Sequence, residues 1–133
     1  MTDSAAEGQR TQLRVLLVED EPDSADLMTM LLEDADFDVR CVSHAHEALA
    51  ATPVFRPDVI ILDVNLPDMD GIDLATRLRR LDGLSITRMI AVSAISGAAH
   101  VQRAASAGIE TYLVKPLRMK DLIELIRAEV STK

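Results

Sequence analysis

Four short apolar runs in this chain each close on a side chain that could handle a cation or a phosphoryl group. Val59-Ile60-Ile61-Leu62 ends in Asp63 and then turns at once through Asn65-Leu66-Pro67-Asp68-Met69-Asp70-Gly71. Val15-Leu16-Leu17-Val18 ends in Glu19-Asp20-Glu21, Met89-Ile90-Ala91-Val92 ends in Ser93, and Tyr112-Leu113-Val114 ends in Lys115-Pro116. Unbroken, largely aliphatic runs of this length read as strands buried on both faces, as in a parallel sheet. If these strands share one sheet, their carboxyl ends share one edge, where ligands bind in open α/β folds. Three carboxylates, one hydroxyl and one ammonium would then converge.

Such a set has a coherent chemistry. Crowded carboxylates repel, which raises their proton affinity unless a cation joins them. Oxygen donors favour a hard divalent ion, and few carboxylates with room for water favour magnesium over calcium. One carboxylate can accept a phosphoryl group as an acyl phosphate, while Mg2+ and a lysine spread the transferred charge and a hydroxyl hydrogen-bonds a phosphoryl oxygen.

The intervening segments supply the elements that would hold these residues in place. Pro22 followed by Leu27, Met28, Met30, Leu31 and Leu32 describes an amphipathic helix to about Asp34. Phe37 to Val42 reads as a weaker edge strand, in which Val39 and Cys41 alternate with charge. A short Ala-rich helix is expected from Ala45 to Ala51, with Pro53 and Pro57 bracketing the loop that leads to the Asp63 strand. Ile72, Leu74, Ala75, Leu78 and Leu81 recur at helical spacing until Gly83. Gly97 to Ala107 is a weak Ala-rich helix ended by Gly108, and a last helix begins near Met119 with Leu122, Ile123, Leu125, Ile126 and Val130 on one face. Strand and helix alternate five times, which requires parallel strands joined by right-handed crossovers.

Composition narrows the functional classes. At 133 residues the chain fits one domain, with 48% hydrophobic, 27% charged and only 2% aromatic residues, so its core is aliphatic. A formal net charge of -8 disfavours nonspecific nucleic-acid binding and attachment to an anionic membrane surface. The single cysteine, Cys41, makes no internal disulfide or zinc motif and reads as a small buried strand residue. His44, His46 and His100 lie at loop or helix-start positions without ligand spacing and read as surface residues. Residues 1–12 are polar and lack a basic start followed by an apolar core, so they read as a disordered lead-in rather than a signal peptide, with residues 13–133 forming the domain. No apolar run approaches the roughly 18 residues of a membrane span, and a cytoplasmic location is expected.

On these motifs the chain resembles a response-regulator receiver domain of two-component signalling. The resemblance runs from about Arg14 to Val130 and rests on Val18-Glu19-Asp20-Glu21, the Asp63 strand with its turn to Gly71, Ser93-Ala94, and Tyr112-Leu113-Val114-Lys115-Pro116. It implies a flavodoxin-like five-stranded sheet of order 2-1-3-4-5 with five helices. It implies that Asp63 is phosphorylated by a sensor histidine kinase or a histidine phosphotransfer domain, the chain catalysing transfer to itself. Asp20, Asp63 and the Asn65 main-chain carbonyl would hold Mg2+, with Glu19 acting through water. Ser93 and Lys115 would contact the phosphoryl group, and Tyr112 would be the mobile aromatic of the switch. Output to a protein target or a second copy would pass through the fourth helix, fifth strand and fifth helix. The family pattern also puts Asn65 and Ile95 beside the path of hydrolytic water. There Ile95 either covers the approach and prolongs the phosphorylated state, or points outward as a partner contact. Glu19 in place of the commoner Asp, and Ser93 where Thr is also frequent, both preserve the chemistry.

Taken singly, each residue has a plainer reading. Asp63 can simply start a turn, Glu19-Asp20-Glu21 can be an acidic helix start, Ser93 a cap, Lys115 a solvated loop cation and Tyr112 a core residue. The joint placement on strand ends favours the site. Phosphatases that form an aspartyl phosphate share the Asp63 segment, but they need a second Asp two residues on as acid and base, where this chain has Asn65. A pseudo-receiver that binds partners without phosphorylation would not require the complete constellation.

Overall fold

The computed structural model describes residues 12–131 apart from 82, 85, 95 and 96; the side chains of 130 and 131 are also outside the description. Five strands and five helices alternate: β1 (Arg14–Val18), α1 (Pro22–Asp34), β2 (Asp38–Val42), α2 (Ala45–Phe55), β3 (Val59–Asp63), α3 (Gly71–Arg79), β4 (Arg88–Ser93), α4 (Ala98–Ser106), β5 (Thr111–Val114) and α5 (Met119–Ser131). All pairings are parallel and the strand order is β2-β1-β3-β4-β5. This is the doubly wound architecture expected from the alternating pattern.

Strand periodicity sorts the core into two layers. Leu16, Val18, Ile60, Leu62, Met89 and Ala91 pack toward α2, α3 and α4, while Val15, Leu17, Val59, Ile61, Ile90 and Val92 pack toward α1 and α5. β3 is buried along its whole length, so a run without polar interruption is what this central position demands. Each fully buried aliphatic side chain contributes roughly 1.5–3 kcal/mol. The sheet is therefore a rigid platform for the residues at its carboxyl edge.

Two expectations need correction. Cys41 is exposed, because β2 is an edge strand and only Val39 and Val42 lean on the core, each half-buried. Its thiol is still pushed up from the ordinary value, first by partial desolvation and then by the negative charges of Glu19, Asp26 and Glu47, so exposure does not make it a ready nucleophile. The second correction concerns α2, which runs on through Pro53 to Phe55. Thr52 donates its hydroxyl to the Ala48 carbonyl at 2.7 Å and buried Phe55 anchors the last turn. Arg56 at φ 55° then ends the helix. Tertiary packing outweighs the one amide donor that Pro53 lacks.

The remaining boundaries fall close to the sequence pattern, except that α3 ends at Arg79, before Leu81 and Gly83. Pro22 occupies the first turn of α1, while the Glu21 carboxylate accepts from the Ser24 and Asp23 N–H groups at 2.7 and 3.3 Å. Gly83 and Gly108, after α3 and α4, take positive φ values of 84° and 92°. The expected lead-in lies outside the described residues except for Gln12, whose amide donates to Asp36 at 3.1 Å.

Candidate functional site

β1 and β3 are neighbours, and main-chain bonds continue the β1–β2, β3–β4 and β4–β5 pairings past the strand ends. The Glu19 N–H donates to the Val42 carbonyl at 3.0 Å, Val64 N–H to Val92 at 3.1 Å and Lys115 N–H to Ser93 at 2.8 Å. These bonds carry the ladder across the carboxyl edge and bring the acidic pair, the central aspartate and the lysine to one place. One carboxylate oxygen from each of Glu19, Asp20 and Asp63 lies within 4.8 Å of the other two. Glu19 and Asp63 are buried, at 4% and 7% exposure, whereas Asp20 faces solvent. The cluster is thus open on one side.

Lys115 supplies the balancing charge. Its Nζ is 3.3 Å from Asp63 Oδ2 and 3.9 Å from Glu19 Oε1. The other carboxylate oxygen, Asp63 Oδ1, accepts the Asn65 N–H at 2.9 Å, which fixes the rotation of the acid. Among the described residues one cation faces the three carboxylates, which leaves net negative charge in a partly desolvated site. Glu19 shows the consequence: burial, and then the charges of Asp63 and Asp20, push its carboxyl above the usual range against the opposing pull of the Glu21 N–H and Lys115. An all-oxygen set with this surplus charge fits a hard divalent cation better than it fits the bare protein. Glu19, Asp20 and Asp63 are the side chains that could hold such an ion.

Ser93 is fully buried at the end of β4, and the Lys115–Pro116 peptide beside it is cis. Ser93 follows Ala91 on one face of β4, and Tyr112 lies opposite Ala91 on β5, so hydroxyl and ring share that face of adjacent strands. Tyr112 is half-buried against the α2, α3 and α4 layer. Ile95 lies outside the described residues, and its part in water access has no structural account. His44 and His46 are exposed, as expected. His100 is half-buried on α4.

The turn after Asp63 is tighter than its composition indicates. Asn65 and Asp70 form an antiparallel bridge across it, and the Gly71 N–H donates to the Val64 carbonyl at 2.7 Å. A Cβ on Gly71 would stand 2.5 Å from the Asp63 carbonyl oxygen and 2.7 Å from Val64 Cα, so only glycine allows α3 to start this close to the acceptor strand. Asp70 caps α3 through the Ile72 N–H at 2.7 Å and meets Arg103 of α4 at 3.6 Å. Asp68 reaches out of the turn to the start of α2, where it accepts from the Ala45 and His46 N–H groups and from the His46 ring. These cross-links join residues far apart in sequence. Only the turn itself was legible beforehand.

The chain is thus a doubly wound α/β domain with an acidic cluster and a lysine at the carboxyl edge of its parallel sheet. Residues 15–127 match the response regulator receiver domain family, and the chain belongs to it. The DNA-binding response regulator MtrA of Mycolicibacterium smegmatis is 32% identical over 117 residues, covering 88% of this chain and 50% of the relative. An uncharacterized 14.6 kDa protein from Leptolyngbya boryana is 34% identical over 87% of this chain and 88% of its own length. Among solved structures, the chemotaxis response regulator CheY4 of Vibrio cholerae superposes with a TM-score of 0.84 at 28% identity, covering 90% of this chain and 99% of the other. The chain spans about half the length of the MtrA relatives it matches. Among the described residues, no helix is long and apolar enough to cross a membrane.

Proposed function

We propose that this domain is a phosphoacceptor switch of the cytoplasm, in which Asp63 takes a phosphoryl group from a sensor histidine kinase or a histidine phosphotransfer domain. The observation that carries the reading is the Asp63 carboxylate itself, buried at the centre of the edge, aligned by the Asn65 N–H and faced by Lys115 Nζ at 3.3 Å. A carboxylate oxygen attacks phosphorus, the new O–P bond forms, the donor N–P bond breaks, and the leaving imidazole takes a proton from solvent. Lys115 follows the charge onto the phosphoryl oxygens, and the Ser93 hydroxyl donates to one of them. A divalent cation held by Asp20, Asp63 and the Asn65 carbonyl, with Glu19 behind a water, would neutralise the acids and the incoming phosphoryl charge.

The donor domain has an apolar landing beside this chemistry. A groove of about 440 Å3 is lined by Leu27, Met28, Val92, Pro116, Leu117 and Met119 together with Glu19, Ser24 and Lys115. Leu27 and Met30 on α1 are 52% and 51% exposed. Phosphorylation draws Ser93 toward the new oxygens and lets Tyr112 turn inward, which alters the face formed by α4, β5 and α5. The helix α4 is suited to such a shift, because among its described residues only Ala104 is buried and little packing resists movement. A protein target or a second copy reads this face, where Val101 and Val114 are exposed. No direct nucleic-acid contact is proposed for this domain, given its net charge of -8.

Phosphoramidate or acetyl phosphate with Mg2+ should add one phosphoryl group to wild type and none to Asp63→Asn, as read by intact-mass spectrometry. The same adduct on both proteins would overturn the assignment.

A further inference from the structure

The turn between β3 and α3 is held at two levels. Its base is closed by the Asn65–Asp70 bridge, and the Gly71 N–H bond to the Val64 carbonyl draws α3 against the end of β3. Its tip, where Leu66 and Met69 rest on the core, is tied to a second element through the Asp68 side chain. Asp68 Oδ1 accepts the Ala45 N–H at 2.9 Å and Oδ2 the His46 N–H at 3.1 Å, with the His46 Nδ1 on the same Oδ2. The bonds from these N–H groups hold the Asp68 carboxyl well below the usual carboxylate range, and the His46 side chain adds to them.

α2 does not depend on Asp68 alone for its start. Glu47 accepts from the Ser43 and His44 N–H groups at 2.9 and 3.2 Å, so the helix carries a local cap within its own first turn. Asp68 is added from 22 or 23 residues away, and the segment it restrains is the one that bears Asn65. Asn65 is joined to Asp63 through its N–H and would present its carbonyl to the cation. Only Leu66 and Pro67 separate the tip from Asn65, so a shift of the tip bears on an atom at the site.

We propose that Asp68 is a positioning residue: it clamps the acceptor turn to the N-terminus of α2 and thereby sets the Asn65 carbonyl for divalent-cation binding. This rests on the phosphoacceptor reading given above. Groups that orient a ligand from behind are worth about 10–100-fold in metal affinity in other sites. Here Asn65 keeps its bridge to Asp70, so the lower end of that range applies.

The test compares Asp68→Ala, Asp68→Asn and Glu47→Ala in the full chain, at a temperature where thermal melts show every variant folded. Mg2+ is titrated into each metal-free protein by calorimetry, with the Asn65 and Asp70 amide signals followed by NMR, and the initial rate of phosphorylation by phosphoramidate is measured separately. Asp68→Ala should weaken Mg2+ binding by about tenfold and shift both amide signals even before metal is added. Asp68→Asn, which retains one acceptor oxygen, should recover part of the loss. Glu47→Ala removes the local cap and should lower the melting temperature while leaving Mg2+ affinity within about twofold of wild type. Unchanged affinity in Asp68→Ala, or an equal loss in Glu47→Ala, would overturn the clamp while the phosphoacceptor reading stands. A wild-type protein that binds no Mg2+ and accepts no phosphoryl group would instead remove that reading, and the inference with it.

Discussion

Gly71→Ala offers the most direct test of how closely α3 is set against the acceptor strand. A methyl carbon needs roughly 3.5 Å from another heavy atom, so with the Asp63 carbonyl oxygen at 2.5 Å the two elements must part by about 1 Å. Both obstructing atoms, the Asp63 oxygen and Val64 Cα, belong to main chain. They cannot rotate away as a flexible side chain would. Overpacking of this kind costs about 3 kcal/mol, and for a domain of this size that lowers Tm by roughly 10 °C. The displacement also falls on the acceptor residue, where a misplacement of about 1 Å can cost 10²-fold in rate. The assay is the initial rate of phosphoramidate-dependent phosphorylation at a temperature well below the variant's melt, beside a thermal unfolding curve. Gly83→Ala serves as the comparison, since its φ of 84° imposes backbone strain but the nearest obstruction is a mobile Arg56 Nη2 at 3.7 Å. It should lose about 1 kcal/mol or more and keep its phosphorylation rate. If Gly71→Ala is folded and reacts as fast as wild type, the tight junction between β3 and α3 is not what positions Asp63.

Other substitutions probe the parts separately. Arg79 donates to the carbonyls of Leu84, Thr87 and Gly108 at 2.6, 2.6 and 2.7 Å and pairs with Glu110 at 2.8 Å, tying the end of α3 to two loops. Arg79→Ala strands these acceptors and should destabilise by about 3 kcal/mol in urea unfolding; a loss below about 1 kcal/mol would show that water replaces the guanidinium. Glu19 bears on pH. Its folded carboxyl is raised above 4.5, so its contribution to stability is present below that value and is lost as pH rises through the folded value. In metal-free protein Glu19→Gln should therefore melt higher than wild type, with a gap that widens from pH 4.5 toward neutrality, and should gain less from added Mg2+. A gap that narrows over that interval would contradict the burial argument.

Much of the molecule was legible in its apolar runs. Val59 to Leu62 carries no polar residue because β3 is covered on both faces, and the same holds for the buried parts of β1 and β4. Once the strands are parallel, the polar residues closing them must share an edge, so Glu19, Asp63, Ser93 and Lys115 could be grouped before any distance was known. That inference needs only local periodicity and a handedness rule. Cys41 marks where local pattern fails, since alternation alone does not say how much of an edge strand is covered. Pro53 marks it again, because packing of Phe55 carries α2 past a residue that composition would place in a loop. Asp68 and Arg79 were visible only as a turn acid and a helix cation. Their partners lie 5 to 31 residues away and are mostly main-chain atoms, which leave no signature in side-chain sequence. Which N–H or carbonyl groups remain unpaired after the strands and helices form is settled only when the elements meet, and those long-range bonds decide how firmly the acceptor turn is held.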